Sequence, residues 1–537
     1  MFSARISAIV LVLAIAGVAG KPAHGQAPRL GTIQFPASGA AAAQPAFIEG
    51  VLFLHSFEYA SAARAFRRAQ EMDPSFAMAY WGEALTYTHP VWNEQDVAAA
   101  RAALGRLGAT PEARRAKAPT EREKTYFDAI EMLYGEGSKP ARDTAYAQAM
   151  AKLAAAFPQD HEARAFHALA ILGLNQGVRS IPDYMRAAAI VEEVFDANPQ
   201  HPGAVHYLIH SYDDPIHAPL GLRAARAYSK VAPDAGHAQH MTTHIFVAMG
   251  MWDDVVSQNV IAAGLSNWLS GHYTSWLEYG YLQQGRHAQA LKHLVEMRDR
   301  LSGGAPPGNY DAATRNRLTA VARMRADYVF NTERWDSPVL DWPIEPPAGL
   351  TEVALTDLFT RGVAAAMRGD RAAAGVLLEQ MTARNGNRAP DAARTELAPV
   401  PAILEKQFRA VVAFADGRKD EAIALAREAA AIEDAMPFEF GPPAAVKPAH
   451  ELLGDLLLKM DRHTEAQREY ARALELTPKR AITLLGLARA VGAAGDRANA
   501  ALAWGTLRDI WHAADADLPW LAEVRRFAAR TPGQERP

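Results

Sequence analysis

The sequence predicts an all-α protein, a solenoid of stacked helix-turn-helix pairs with a concave groove. Amphipathic segments several turns long alternate with short breaks at Gly, Pro or Asp, which is the pattern of consecutive helices. We find no segment with the period-two alternation of polar and apolar residues that a half-buried strand requires. Residues also recur at a spacing of 34, as Pro199 and Pro233 do, and self-similarity at this period is typical of helical repeats.

The chain begins with a predicted secretory signal peptide at residues 1–25. Arg5 supplies the positive charge, residues 6–20 form an apolar run, and Ala23-His24-Gly25 places small residues at a cleavage site. A membrane anchor is the alternative, but the run is shorter than the roughly 20 residues of a spanning helix. We therefore expect a periplasmic or secreted protein with no integral membrane segment in the mature chain.

The mature chain is predicted to start with a flexible lead at residues 26–45 and to continue as two helical arrays. Its 537 residues exceed what one compact core usually serves. The Pro-rich stretch 335–350 is expected to be a linker or capping segment. It would separate an N-terminal array at 46–334 from a C-terminal array at 351–530.

Composition excludes several classes of function. A net charge of −4 does not suit a nucleic-acid binder or a protein that binds anionic membranes. The chain has no cysteine, so disulfides, thiolate metal ligands and a cysteine nucleophile are excluded. The sequence also lacks the phosphate-loop, dinucleotide-binding, nucleophile-elbow and zincin motifs. Nothing in these patterns demands catalysis.

The clearest copies of the repeat lie at 43–76 and 447–480. In each copy small residues let two helices approach, aromatic residues fill the space beside them, and a proline ends the second helix. These positions are Gly50, Phe53, Tyr59, Ala62, Phe66, Ala69 and Pro74 in the first copy, and Leu453, Gly454, Ala466, Tyr470, Ala473 and Pro478 in the second.

This pattern resembles the tetratricopeptide repeat (TPR) superfamily over nearly the whole mature length. The block His237-Ala238-Gln239-His240-Met241-Thr242-Thr243-His244-Ile245 is also similar to that of an exported bacterial group of TPR proteins. That group usually has Pro where this chain has Thr242. The resemblance implies two TPR-like arrays and a protein or peptide partner in the concave groove.

Histidines suggest a metal site. His206 and His210 recur 34 residues later as His240 and His244, so the two pairs occupy equivalent positions in neighbouring repeats. The i, i+4 spacing places each pair on one face of its helix. First helices of successive repeats lie side by side, so three or four imidazoles are predicted to converge on one divalent ion, with Asp213, Asp214 or Asp234 as second-shell acceptors. An all-nitrogen set suits Zn, Cu, Ni or Fe.

Further residues are predicted to line a ligand-binding groove. The resemblance to TPR proteins implies that ligands are bound by side chains at fixed positions in the first helix of each repeat. The residues at those positions here are His237, Asp213, Asp214, His55 and His89, and the last two are again 34 apart. His272, Tyr273 and Trp276 open the next first helix and could wall the site, although an aromatic stripe is more often repeat core.

Several functions therefore stay open at the level of sequence. The first is an exported scaffold that binds a protein, peptide or small ligand in its groove. The second is a metal-dependent enzyme, hydrolytic or oxidative, that uses the His206, His210, His240 and His244 cluster. The histidines could instead form a structural hydrogen-bond ladder, or be copies left by repeat duplication in a simple spacer.

Overall fold

The structure, a computed structural model, describes residues 27–174, 179–302, 312–346, 350–387, 399–438 and 440–528. The predicted signal peptide lies outside these residues. The all-α prediction is confirmed, since helices dominate throughout. The strands in the described part are Thr88–His89 and Glu94–Gln95, which form a small antiparallel hairpin. Among the described helices, none combines the length and the apolar character needed to cross a bilayer.

The helices of the N-terminal array are α1 (Gln44–His55), α2 (Tyr59–Met72), α3 (Ala77–Leu85), α4 (Val97–Leu107), α5 (Pro111–Ala116), α6 (Glu121–Leu133), α7 (Lys139–Ala156), α8 (His161–Leu172), α9 (Ile181–Ala197), α10 (Pro202–Tyr212), α11 (Ala218–Val231), α12 (Gly236–Ala248), α13 (Trp252–Leu265), α14 (Gly271–Gln283), α15 (His287–Ser302) and α16 (Ala312–Thr332). Those of the C-terminal array are α17 (Thr351–Met367), α18 (Arg371–Gly386), α19 (Val400–Ala415), α20 (Lys419–Asp434), α21 (Ala449–Leu458), α22 (His463–Leu476), α23 (Ala481–Ala493), α24 (Arg497–Ile510) and α25 (Leu521–Ala528). Consecutive helices pack in pairs, and first helices of successive pairs also contact each other, as α10 contacts α8 and α12.

Glycines next to one aromatic ring set the spacing of the pairs. Phe66 on α2 lies against Gly50 on α1 and Gly82 on α3, and a Cβ at Gly82 would lie 2.3 Å from the ring. Tyr470 on α22 makes the same contacts with a glycine of α21 and one of α23. The aromatic residue of a second helix thus fills the space that glycine leaves in its own first helix and in the next one. This is the physical basis of the sequence repeat.

The segment before α1 is packed against the fold, in contrast to the flexible lead predicted for residues 26–45. Leu30 and Phe35 are buried, and the Phe35 ring lies 5.4 Å from the ring of Phe47. The prediction rested on the small residues just before α1. It overlooked the two apolar side chains that precede them, which gain hydrophobic stabilisation on burial.

The predicted linker or capping segment, residues 335–350, does not interrupt the core. It contains a short 3-10 helix at Pro338–Asp341. Val339 in this helix is buried in a cluster that includes Val256 from the N-terminal array and Ala364 from the C-terminal array. The two arrays are therefore joined by continuous apolar packing.

The end of the C-terminal array also contacts the middle of the N-terminal array. The indole of Trp252 donates a hydrogen bond to the carbonyl of Lys479 at 3.0 Å. The indole of Trp511 donates to the carbonyl of Gln283, also at 3.0 Å. These contacts join residues more than two hundred positions apart in the chain, so the arrays form one packed unit.

Glu451 is the charged centre of this junction. The buried carboxylate accepts hydrogen bonds from Arg480 at 2.8 Å and pairs with Lys447 at 2.8 Å, while Arg480 also donates to the hydroxyl of Tyr279 on α14 at 3.1 Å. Burial opposes ionisation, but Arg480 and Lys447 lower the pKa of Glu451 from 4.5 to about 2. The ionised form is therefore favoured by folding. Its contribution to stability is full above pH 4.5 and is lost as the pH falls to about 2.

We expect Glu451→Gln to lower the free energy of unfolding at pH 7 by roughly 3–5 kcal/mol, because Arg480 would stay buried without its anion, while Lys447 would keep Asp455 as its partner. Urea unfolding measures this loss. The difference in the free energy of unfolding between this variant and the wild type should decrease as the pH falls from 4.5 to about 2. The matched control is Glu475→Gln, at an exposed partner of Arg472, where a change of no more than about 0.5 kcal/mol is expected. Equal stability of Glu451→Gln and wild type at pH 7 would contradict the assignment.

Candidate metal centre

Six histidines from three helices of the N-terminal array meet in one place. This histidine cluster consists of His206 and His210 on α10, His237, His240 and His244 on α12, and His272 on α14. Ring centroids lie 4.9 Å apart for His206 and His210, 5.0 Å for His206 and His237, and 4.4 Å for His240 and His272. The rings therefore converge rather than pointing to opposite sides of the array.

The histidine cluster divides into two sets of three. Within each set, every residue offers one ring nitrogen within 4.8 Å of the others. The first set is His206, His210 and His237, and the second is His240, His244 and His272. A further group, His210, Asp213 and His244, has its ligand atoms equally close and joins the two sets. Of the four histidines predicted to share one ion, two lie in the first set and two in the second.

Hydrogen bonds fix the tautomer of three rings. In each, Nδ1 lies next to an oxygen that can only accept. The pairs are His206 with the backbone carbonyl of His55 at 2.7 Å, His240 with Oδ1 of Asn259 at 2.9 Å, and His244 with Oδ2 of Asp213 at 2.9 Å. Nδ1 must therefore carry the hydrogen, and Nε2 of each ring keeps its lone pair.

The Nε2 atoms of the cluster have no hydrogen-bond partner among the described residues. These buried atoms belong to His206, His210, His237, His240 and His244. A structural ladder would need one ring to donate to the next, yet His206, His240 and His244 carry their hydrogen on Nδ1 and present only a lone pair at Nε2. Buried polar atoms are normally hydrogen-bonded, so five exceptions in one cluster need an explanation. Coordination of a metal ion uses the lone pair that these atoms present.

A neighbouring group of histidines has the opposite arrangement. Nε2 of His55 donates to Glu162 at 2.6 Å, and Nε2 of His201 lies 3.1 Å from the other oxygen of that carboxylate. Nδ1 of His201 accepts from the backbone N–H of Ala204 at 3.1 Å, so its hydrogen is on Nε2. Burial disfavours the charge of Glu162, but His201 and His55 hold the pKa of this carboxyl well below its usual range. These two histidines and Glu162 form a buried polar network, in which burial lowers the pKa of His55 despite the neighbouring carboxylate.

Burial favours the neutral form of five rings of the cluster, which are His206, His237, His240, His244 and His272. Desolvation and then the neighbouring imidazoles lower the pKa of His206, His237 and His240 well below the ordinary 6.5. Burial lowers the pKa of His272 to about 3. Neutral imidazole is the form that binds a metal, so the electrostatics of the site favour ligation at neutral pH.

Asp213 touches both sets. One carboxylate oxygen lies 2.9 Å from Nδ1 of His244 and 3.5 Å from Nδ1 of His210, and the other accepts from Arg179 at 2.6 Å. Burial opposes the charge, yet Arg179 and the two histidines hold the pKa of Asp213 far below its usual range. Asp214 also pairs with Arg179, at 3.3 Å. Asp213 therefore contacts Nδ1 of one histidine in each set.

Aromatic rings enclose the cluster. Phe57 stacks on His237 at 5.5 Å, and Trp276 stacks on His244 at 4.7 Å between centroids. The ring of Trp92, which is 42% exposed, meets His237 edge-on at 5.8 Å. Aromatic rings therefore border both sets, Trp92 is exposed beside His237, and His272 is itself only partly buried.

The residues predicted to line a ligand groove have other positions. His237 belongs to the first set. His55, Asp213 and Asp214 are fully buried and hydrogen-bonded to other side chains, so they do not face an open groove. This differs from the prediction because first-helix positions that face outward in an open array are covered here by the packing of α1, α10 and α12.

Two other predicted residues lie away from the histidine sets. His89 is in the small hairpin, where its ring stacks on Tyr59 at 4.0 Å. Asp234, proposed as an acceptor for the imidazoles, pairs with Arg29 at 2.8 Å instead. Neither is placed to ligate or orient the six rings.

His272 completes the second set, although its sequence position predicted only that it could border the site. A signal for it exists in the sequence. Gly271-His272 opens α14 as Gly236-His237 opens α12, so the two histidines have the same place at the start of a first helix. No local pattern singles out Asn259 or Arg179, whose roles follow from contacts between helices.

A cavity lies within the C-terminal array, on first helices α17, α19, α21 and α23. Its volume is about 430 Å³. The lining includes apolar and aromatic side chains and five charged ones, which are Glu333, Lys447, Asp455, Lys459 and Arg489. This size is within the range of small-ligand sites.

Comparisons with known proteins identify the repeat but not the site. Residues 448–480 match the family model described as tetratricopeptide repeat. No curated protein matches the chain. Among solved structures, the chain is similar to the APC/C hetero-tetramer Cut9-Hcn1, with 11% identity over 93% of this chain and 78% of that chain and a TM-score of 0.33. It is also similar to a monomeric mutant of IFIT1 with Gppp-AAAA, with 12% identity, 84% and 90% coverage and a TM-score of 0.37. Likeness at this level says nothing about function.

We expect nitrogen NMR of metal-free protein with labelled histidine to show the Nδ1–H tautomer for His206, His240 and His244, because each has a fixed acceptor at Nδ1. His55 and His201 should show the opposite tautomer. Asn259→Leu removes the acceptor of His240 and should free that ring alone, leaving His206 as an internal control. Mixed tautomers for His206, His240 and His244 in the wild type would show that the hydrogen bonds do not hold.

Proposed function

We propose that this chain, a member of the tetratricopeptide-repeat superfamily, is an exported protein that binds a transition metal in its histidine cluster. One observation carries the proposal. Rings of the cluster donate through Nδ1 to fixed acceptors, while the buried Nε2 atoms have lone pairs and no partner among the described residues. Metal-binding histidines usually have this arrangement, in which a second-shell acceptor orients the ring.

The ligand type narrows the choice of ion. Imidazole nitrogen suits Zn, Cu, Fe or Ni, whereas Ca and Mg prefer oxygen. A structural ladder, the main alternative for the same residues, is supported less well because the rings do not bond to each other. The proposed export rests on the N-terminal 25 residues of the sequence.

Partner binding is a second candidate function. TPR proteins typically act as protein-interaction scaffolds. Among the cations of the C-terminal cavity, Lys447 pairs with Glu451 and Asp455 and Arg489 pairs with Glu523. Lys459 is exposed, so an acidic side chain of a peptide segment would complement it. This site is separate from the histidine cluster, and one protein can combine both.

Metal content tests the first function. Full-length protein purified without a histidine tag should retain a transition metal after dialysis, as measured by inductively coupled plasma mass spectrometry. We expect His240→Ala/His244→Ala to lose at least half of it, because two of the three ligands of the second set are removed. The control His463→Ala/His512→Ala removes two histidines outside the cluster and should keep full content. Wild-type protein that binds neither Zn nor Cu when these are supplied would end the proposal.

Charge reversal at the mouth of the C-terminal cavity tests the second function. Lys459 is exposed at the end of α21, so Lys459→Glu should weaken capture of acidic peptides from a synthetic library by several-fold without unfolding the protein. Lys419→Glu, at an exposed lysine outside the cavity, is the control. Equal peptide binding by both variants would argue against this site.

A further inference from the structure

The cluster offers more ligands than one ion uses. Zn²⁺ in proteins is usually four-coordinate. Six imidazoles in two sets of three are present here, and each set alone has its nitrogens within 4.8 Å of one another. Bonds of about 2.0–2.1 Å to a shared ion require ligand nitrogens no more than roughly 4 Å apart, which small side-chain shifts within a set can provide. Each set thus fits one ion.

The two sets lie close enough to form one centre. Rings of His210 and His244, one from each set, have centroids 5.6 Å apart. The Asp213 carboxylate contacts Nδ1 of the same two rings. Asp213 therefore orients one ligand in each set. A shift of its carboxylate at one set would change the position of a ligand in the other.

Little negative charge is available to balance the ions. Two carboxylates lie against the cluster. Asp213 is already paired with Arg179, and Glu58 accepts from the backbone N–H of His237 at 3.2 Å. Two divalent ions would bring four positive charges into a buried site that supplies neutral ligands, which is costly in a low-dielectric environment. Two monovalent ions halve this charge.

The surroundings also favour a soft ion with few ligands. Phe57 and Trp276 cover rings of the cluster, so the site is apolar. Cu(I) has a filled d shell and is satisfied by three neutral nitrogen donors, whereas Zn²⁺ normally completes a tetrahedron with a fourth ligand. Building on the proposed function, we infer that the cluster binds two Cu(I) ions, one in each set of three histidines.

Anaerobic titration tests this inference. Metal-depleted full-length protein is titrated with Cu(I) supplied as its acetonitrile complex, in competition with bicinchoninate, and separately with zinc sulfate. We expect about two Cu(I) per chain and displacement of Zn²⁺ by Cu(I). X-ray absorption at the copper edge should give three nitrogen ligands per copper. This measurement uses the wild type and does not depend on the folding of any variant.

Paired variants separate the two sets. His206→Gln/His237→Gln should leave one Cu(I) per chain, in the second set, and His240→Gln/His272→Gln should leave one in the first set. The control His463→Gln/His512→Gln should keep two. Circular dichroism establishes that each variant is folded before it is titrated.

Each contrary result has a distinct meaning. One Cu(I) per wild-type chain, abolished by either paired variant, would overturn the two-ion inference and leave the proposed function standing. Four or more nitrogens per copper, or retention of Zn²⁺ against Cu(I), would overturn the assignment to Cu(I) alone. Absence of binding by both metals would overturn the inference together with the proposed function.

Discussion

Close packing of first helices from successive pairs is the constraint on which this structure depends. An aromatic side chain such as Phe66 touches glycines on two first helices, and there is no room for a Cβ at Gly82. At this spacing, a side chain between neighbouring first helices is cut off from water. Histidines on α10 and α12 are consequently buried whatever their role, and His272 on α14 is partly buried.

Burial of the histidine cluster lowers the stability of the fold unless the free ring nitrogens have a partner. An unpartnered buried polar group costs about 1–3 kcal/mol, so five Nε2 atoms cost roughly 5–15 kcal/mol. That is as large as the net stability of a typical domain. Binding of a metal to a structural site contributes about 10–16 kcal/mol, which is enough to offset the cost. The acceptors at Nδ1 of His240 and His244, which are Asn259 and Asp213, are consistent with this, because they leave the lone pair of each ring at Nε2.

The rest of the molecule holds these helices in place. The segment before α1 is packed through Phe35, and the His55 carbonyl at the end of α1 orients His206. From the other end of the chain, Trp511 bonds to the carbonyl of Gln283 on α14. Contacts from both arrays therefore hold the helices of the cluster in position. A centre whose ligands come from three different helices requires such support. A helical array that packs against itself in this way differs from an extended scaffold with an open groove.

The sequence by itself determined the helical repeat and the pairing of histidines across it. Small and aromatic residues at 43–76 and 447–480 fix the helix pairs, and the 34-residue spacing places His206 and His210 beside His240 and His244. These are local patterns, and helix geometry converts them directly into shared faces. Only the tertiary structure decided how the rings are grouped, which nitrogen of each is free, and that His272, Asn259 and Arg179 take part. Those features depend on contacts between helices that no periodicity records, as does the burial of the lead before α1.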